Sequence, residues 1–148
     1  MKSGEKYKAE ELLKHYKFLR SSVEVEINRT FPEYSIKSIS IVEFNNNTKH
    51  GSVTERVALN NLNVPYKLKQ KAQVVMIIYA ALSYLTSDEE YLIKERYFEN
   101  KSFSIIGREV HQYRATIRKK INREILPKLI ELGILKAWDI YMREGGRY

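Results

Sequence analysis

Arg114, Arg118, Lys119, Lys120 and Arg123 crowd into ten residues of the stretch RATIRKKINREIL, with Ala115 and Asn122 between them. Arginine carries a planar fork of donors that fits a guanine edge or a phosphate, and asparagine can pair with the edge of adenine. Lysine brings a point charge suited to phosphate. The chemistry on offer is therefore recognition of nucleic acid. Arg114 and Arg118 suit guanine, while Asn122 suits adenine or phosphate. Lys120, Arg123 and the more distant Lys101 suit phosphate, which positions a protein without reading sequence. For Arg114, Arg118 and Lys119 the competing reading is a plain solvated helix face, and the spacing described below favours contact with DNA. Gln112 and Tyr113, just before this stretch, are read equally well as backbone contacts or as surface. Which residue reads which base is left open.

Charge is distributed to match. Residues 114–128 hold six cations (Arg114, Arg118, Lys119, Lys120, Arg123, Lys128) and one anion (Glu124), giving +5, whereas 86–99 hold two cations and five anions, giving −3. The whole chain has 26 Lys and Arg against 18 Asp and Glu, a net charge of +8. An excess of this sign favours polyanions, because neutralised phosphates release their counterions.

Other chemistries find little support. The chain has no cysteine, which removes disulfides, thiolate nucleophiles and cysteine-held metals and fits a reducing compartment. His15, His50 and His111 are far apart, without the spacing of a ligand pair on one helix. We find no nucleophile–base pair, glycine-rich phosphate loop or acidic metal cluster, and no room for the catalytic domain of a tyrosine recombinase. No enzyme activity and no cofactor are expected. No apolar run reaches the roughly 18 residues of a membrane span. The opening MKSGEKYKAEELLKHYK is too charged for a signal peptide, so a cytoplasmic location is expected.

The elements that must position the basic stretch are helical. Leu12, Leu13, Tyr16, Leu19, Val23 and Ile27 recur at three- and four-residue steps and predict a helix over 5–31, ended near Pro32. Residues 36–44 read as extended, and the asparagine-rich 45–52 as a loop. Ser52 to Glu55 forms a capping-box pattern before a short helix to about Asn60. Pro65 then opens a helix over 66–85 that is apolar nearly all round. It is either the central helix of the fold or a dimerisation surface, on even terms.

A second capping box, Thr86 to Glu89, starts a helix ended by Glu99-Asn-Lys-Ser, with Leu92, Ile93, Tyr97 and Phe98 facing inward. A short helix over 104–110 contains Gly107, where a small residue lets the next helix cross closely. Residues 111–113 form a turn, and a long helix begins at Arg114, anchored by Ile117, Ile121 and Ile125. Two helices joined by a three-residue turn have helix-turn-helix spacing. Tyr113 is a poor N-cap, and Pro127 should end or kink the helix near Leu126. Tyr79, Tyr84, Tyr91 and Tyr97 are expected in the core, Trp138 as a packing anchor, and the histidines at the surface or in turns.

These readings give an all-α fold. It comprises a helical N-terminal module over 1–63 and a C-terminal domain over 64–148 that carries the helix-turn-helix. Residues 85–129, LTSDEEYLIKERYFENKSFSIIGREVHQYRATIRKKINREILPKL, resemble region 4 of sigma-70-type factors. With the helical N-terminal half and the Ser-x-Thr-Glu-Arg-x-Ala segment at 52–58, the chain is similar to phage late-gene transcriptional regulators of the ArpU/RinA type. The resemblance implies a sequence-specific regulator of transcription acting on double-stranded DNA, a phage or prophage late-gene activator, with RNA polymerase as a partner. Nothing resembles the promoter-melting region 2 of a complete sigma factor. Pairing of subunits into a homo-oligomer would set two recognition helices about 34 Å apart. The rivals are a small-terminase-like DNA-packaging subunit, which assembles as a large ring, and a protein-interaction adaptor that has lost DNA binding.

Overall fold

A computed structural model of the chain describes residues 1–30 and 66–143. Six helices make up this part: α1 (Ser3–Thr30), α2 (Tyr66–Leu82), α3 (87–98), α4 (Phe103–Val110), α5 (114–131) and α6 (Lys136–Arg143). Among the described residues there is no strand, and the all-α expectation holds. The end of the first helix at Pro32, the extended 36–44, the loop 45–52, the capping box at Ser52 with its short helix, and Pro65 lie outside the described residues.

The predicted stripe of α1 is real. Leu12, Leu13, Tyr16, Leu19, Val23 and Ile27, joined by Ala9, are all buried. They face α2, α3, α5 and α6. The helix assigned by sequence to an N-terminal module thus shares one apolar core with α2–α6.

Helix α2 takes the central position of its two alternatives. It packs on both α1 and α6, and Leu68, Ala72, Val74, Val75, Met76, Ile78, Ala81 and Leu82 are buried. It ends three residues before the expected Leu85. There the Ser83 hydroxyl donates to the Ala80 carbonyl at 2.6 Å, and the amides of Tyr84 and Leu85 donate back to Ala81 and Leu82. Leu85 still closes the core from this turn.

At the start of α3 the capping box forms in full. The Glu89 amide donates to the Thr86 hydroxyl at 3.3 Å, and the Thr86 amide donates to the Glu89 carboxylate at 3.0 Å. Lys128 of α5 reaches the same carboxylate at 2.8 Å. The helix finishes in a wide π turn over Lys94–Phe98, and Asn100 then takes a left-handed backbone (φ 56°) that turns the chain toward α4. Side-chain bonds join the helices across the core: Tyr97 donates to Glu10 of α1 at 3.1 Å, and Lys71 of α2 pairs with Glu26 of α1 at 2.7 Å.

Three packing expectations need correction. Tyr84 and Tyr91 are exposed, at 59% and 40%, because one lies in the turn after α2 and the other on the outer side of α3. Tyr79 is half-buried and Tyr97 buried, as expected. Of the two outcomes expected at Pro127, an end or a kink near Leu126, the end does not occur: helix α5 runs through Pro127 to Glu131. Immediately upstream, over Ile121–Ile125, the helix widens to a π turn and the Leu126 amide donates to Ile121, five residues back. The wider turn makes room for the proline ring against the preceding carbonyls, the clash that otherwise breaks a helix. Trp138 is half-buried, with its ring edge-on to Tyr7 at 6.2 Å between centroids.

Candidate nucleic-acid interface

Helix α4 begins at an N-cap, Ser102, whose hydroxyl accepts the Ile105 amide at 3.2 Å. Ile106 and Gly107 face inward, while Ile105 is 40% exposed. The helix closes on His111, which takes the left-handed conformation (φ 59°, ψ 43°). The amides of His111 and Gln112 both return to the Gly107 carbonyl, the second at 2.8 Å. This doubled bond folds the turn back over the helix that it leaves. A Cβ built on Gly107 would lie 2.5 Å from the Gln112 carbonyl oxygen and 3.3 Å from the Arg114 nitrogen. The reason for a glycine here is thus steric, as the sequence implied.

Helix α5 starts at Arg114. Tyr113, its N-cap, makes no side-chain bond to the first turn and is 85% exposed, so its side chain caps none of the leading amides. Ile117, Ile121 and Ile125 are fully buried. Each contributes about 2 kcal/mol of burial to holding this helix face inward. The other residues are thereby turned out: Arg114, Ala115, Arg118, Lys119 and Arg123 are exposed, and Lys120 and Asn122 half-buried. Gln112 is exposed beside them. Nine of the ten residues singled out from sequence therefore lie along the turn and the first three turns of α5.

The tenth, Lys101, does not join them. Its ammonium is held by Glu95 and, at 2.8 Å, by Glu109. Those two carboxylates raise its pKa, and the Lys101 ammonium, with the Tyr91 hydroxyl, holds the Glu109 carboxyl below the ordinary carboxylate value. Its charge joins α3 to α4 and is already matched. Sequence reasoning missed this because the partners lie six residues before and eight after, a pairing that only the bend at Asn100 creates.

The structure adds one residue. Arg108 is exposed on α4 and lines a shallow notch with His111, Gln112 and Tyr113 at the turn. Its signal in the sequence is a lone cation in the first helix of the pair.

None of Arg108, Arg114, Arg118, Lys119, Lys120 and Arg123 forms an ion pair among the described residues. Most acids of α3 and of its C-cap behave oppositely: Glu89 pairs with Lys128, Glu90 with Lys94, Glu95 with Lys101, and Glu99 with Lys17. The result is a mostly neutralised acidic helix on one side of the molecule and an uncompensated basic one at the turn. Among the described residues no group of His, Cys, Asp or Glu side chains could hold a metal ion, and no helix is long and apolar enough to cross a membrane.

Compared with family models, with curated proteins and with solved structures, the chain matches none.

Proposed function

We propose that this chain binds double-stranded DNA through α5, with α4, the turn and α5 acting as a helix-turn-helix. The observation that carries the reading is the row of outward-facing cations on α5, without ion pairs among the described residues, whose opposite face is locked into the core by three isoleucines. A helix fixed in this way can enter a major groove with its side chains presented and its axis set. The Gly107–Gln112 contact sets the angle at which it leaves α4. In this reading Arg114 and Arg118 face base edges, Asn122 faces a base or a phosphate, and Lys119, Lys120 and Arg123 meet phosphates, with Arg108 added from α4. The resemblance of residues 85–129 to sigma region 4 supports regulation of transcription, and the resemblance to regulators of the ArpU/RinA type supports a phage or prophage late-gene activator that meets RNA polymerase at its promoter.

The test is selection of bound fragments from the source genome at physiological salt, with the wild type and the Arg114→Ala/Arg118→Ala double variant in parallel. Enrichment of a few sites by the wild type, absent from the variant, is expected. Enrichment that the double variant retains, or none at all, overturns the reading and points to a protein partner.

A further inference from the structure

Away from the basic face, α1, α2 and α3 enclose a cleft of about 460 Å³. That is within the range of small-molecule sites, roughly 300–1,000 Å³. Its apolar wall is Leu82 with the ring of Phe98, which lies 5.4 Å from the ring of Tyr16 between centroids. Its polar wall is Arg20 from α1, Glu90 and Lys94 from α3, and the hydroxyl groups of Tyr16, Tyr79 and Ser83.

Two features of this lining call for a ligand. The first is Tyr16. It is 2% exposed, and its hydroxyl oxygen, although under the influence of the Arg20 guanidinium, makes no hydrogen bond of normal geometry among the described residues. Buried polar atoms in native proteins almost always have a partner, and one without it beside a cleft can take a partner from outside. The second is charge of both signs. Arg20 meets Glu24 through Nε at 3.5 Å, and Lys94 meets Glu90 at 2.9 Å with both side chains of the second pair about half exposed. Ion pairs that exposed are weak and exchange readily. The Tyr79 hydroxyl feels both ends of the polar wall: burial raises its pKa, Arg20 lowers it, and Glu90 raises it again.

A simple anion would enter against Glu90, and a simple cation against Arg20 and Lys94. A molecule bearing one charge of each sign meets neither penalty. We propose that this cleft binds a free α-amino acid with an apolar side chain, its carboxylate on the Arg20 fork, its ammonium on Glu90, and its side chain over Leu82 and Phe98. The carboxylate can also accept from the Tyr16 hydroxyl, which supplies the missing partner. The occupant would tie three helices together at a point remote from the basic turn, and the inference does not depend on what α5 binds.

The test uses the full chain and calorimetric titration with L-phenylalanine, L-leucine and L-methionine, each alone. Beside these stand 3-phenylpropionate, which lacks the ammonium, and phenethylamine, which lacks the carboxylate. At least one amino acid should bind saturably, with each deaminated or decarboxylated analogue weaker by about tenfold or more, the effect of losing one charged hydrogen bond. Arg20→Ala and Glu90→Gln should weaken the amino acid to a similar extent, and Tyr16→Phe less. Both charged positions reach the surface, and circular dichroism of each variant checks its fold. Absence of binding up to about 10 mM, a Kd beyond which specific recognition is negligible, overturns the proposal. So does binding that both charge variants leave unchanged, or that 3-phenylpropionate matches.

Discussion

The carbonyl oxygen of Gln112 stands 2.5 Å from where a side chain on Gly107 would begin, so the turn and the helix before it touch backbone to backbone. An alanine at 107 cannot be seated without moving the turn, because the obstructing atom is main chain. Gly107→Ala gains about 1 kcal/mol of helix propensity, yet we expect a net loss of about 2 kcal/mol from the forced displacement. Urea unfolding reads the sign directly. A more stable variant would mean that the turn yields freely and does not set the direction of α5.

His111 gives the opposite case, a site that glycine would improve. Its left-handed backbone (φ 59°) closes α4, a position where glycine escapes the clash between Cβ and carbonyl that other residues bear. His111→Gly should raise the urea midpoint by the equivalent of about 1 kcal/mol, with an unchanged slope. A lower midpoint would show that the exposed imidazole contributes something that the backbone geometry does not reveal.

Gly107 was legible in the sequence and Lys101 was not, because the first depends on near neighbours and the second on which helices meet. Local rules succeeded: the Thr86–Glu89 box, the buried Ile117, Ile121 and Ile125, the uncapped Tyr113 and the close approach at Gly107 all depend on residues within a few positions. Where the outcome turned on which elements meet, the residue types alone did not decide it. Lys101 looked like its basic neighbours until the fold set Glu95 and Glu109 against it, and Tyr91 looked like core until its hydroxyl was found on Glu109 at 3.0 Å. Pro127 obeyed its rule in isolation, but the π turn over Ile121–Ile125 removed the clash on which that rule rests.

Glu89 carries a pH dependence. The Lys128 ammonium and the Thr86 amide hold its carboxyl below the ordinary value of 4.5. A carboxylate whose pKa is lower in the folded state contributes stability that is complete above its unfolded pKa and lost as pH falls through the folded one. Stability should therefore decline below about pH 4.5, with Glu109 contributing in the same window. Glu89→Gln keeps an acceptor for the Thr86 amide, since glutamine also serves in a capping box, but removes the charge facing Lys128. Its stability should be lower at neutral pH and flatter across the acid range. An acid profile that parallels the wild type would show that the Lys128 pair is not the source.

Salt would separate the cations proposed to face DNA from Lys101, which is matched within the fold. If α5 meets about five phosphates, log affinity should fall with log salt at a slope near −4 to −5. Replacing one phosphate-contacting cation by alanine should make that slope shallower by about 0.9 for any duplex, which is the expectation for Lys120→Ala and Arg123→Ala. Lys101→Ala should leave the slope alone, because the charge it removes is already matched by Glu95 and Glu109. It should instead loosen the joint between α3 and α4, seen as a lower melting temperature. Filter-binding titrations of the three variants between 50 and 300 mM salt, ~0.8 decade and wide enough to resolve one charge, provide the comparison. A slope near zero in the wild type would contradict DNA binding by α5. A shallower slope in Lys101→Ala would mean that this lysine leaves its carboxylates to reach phosphate.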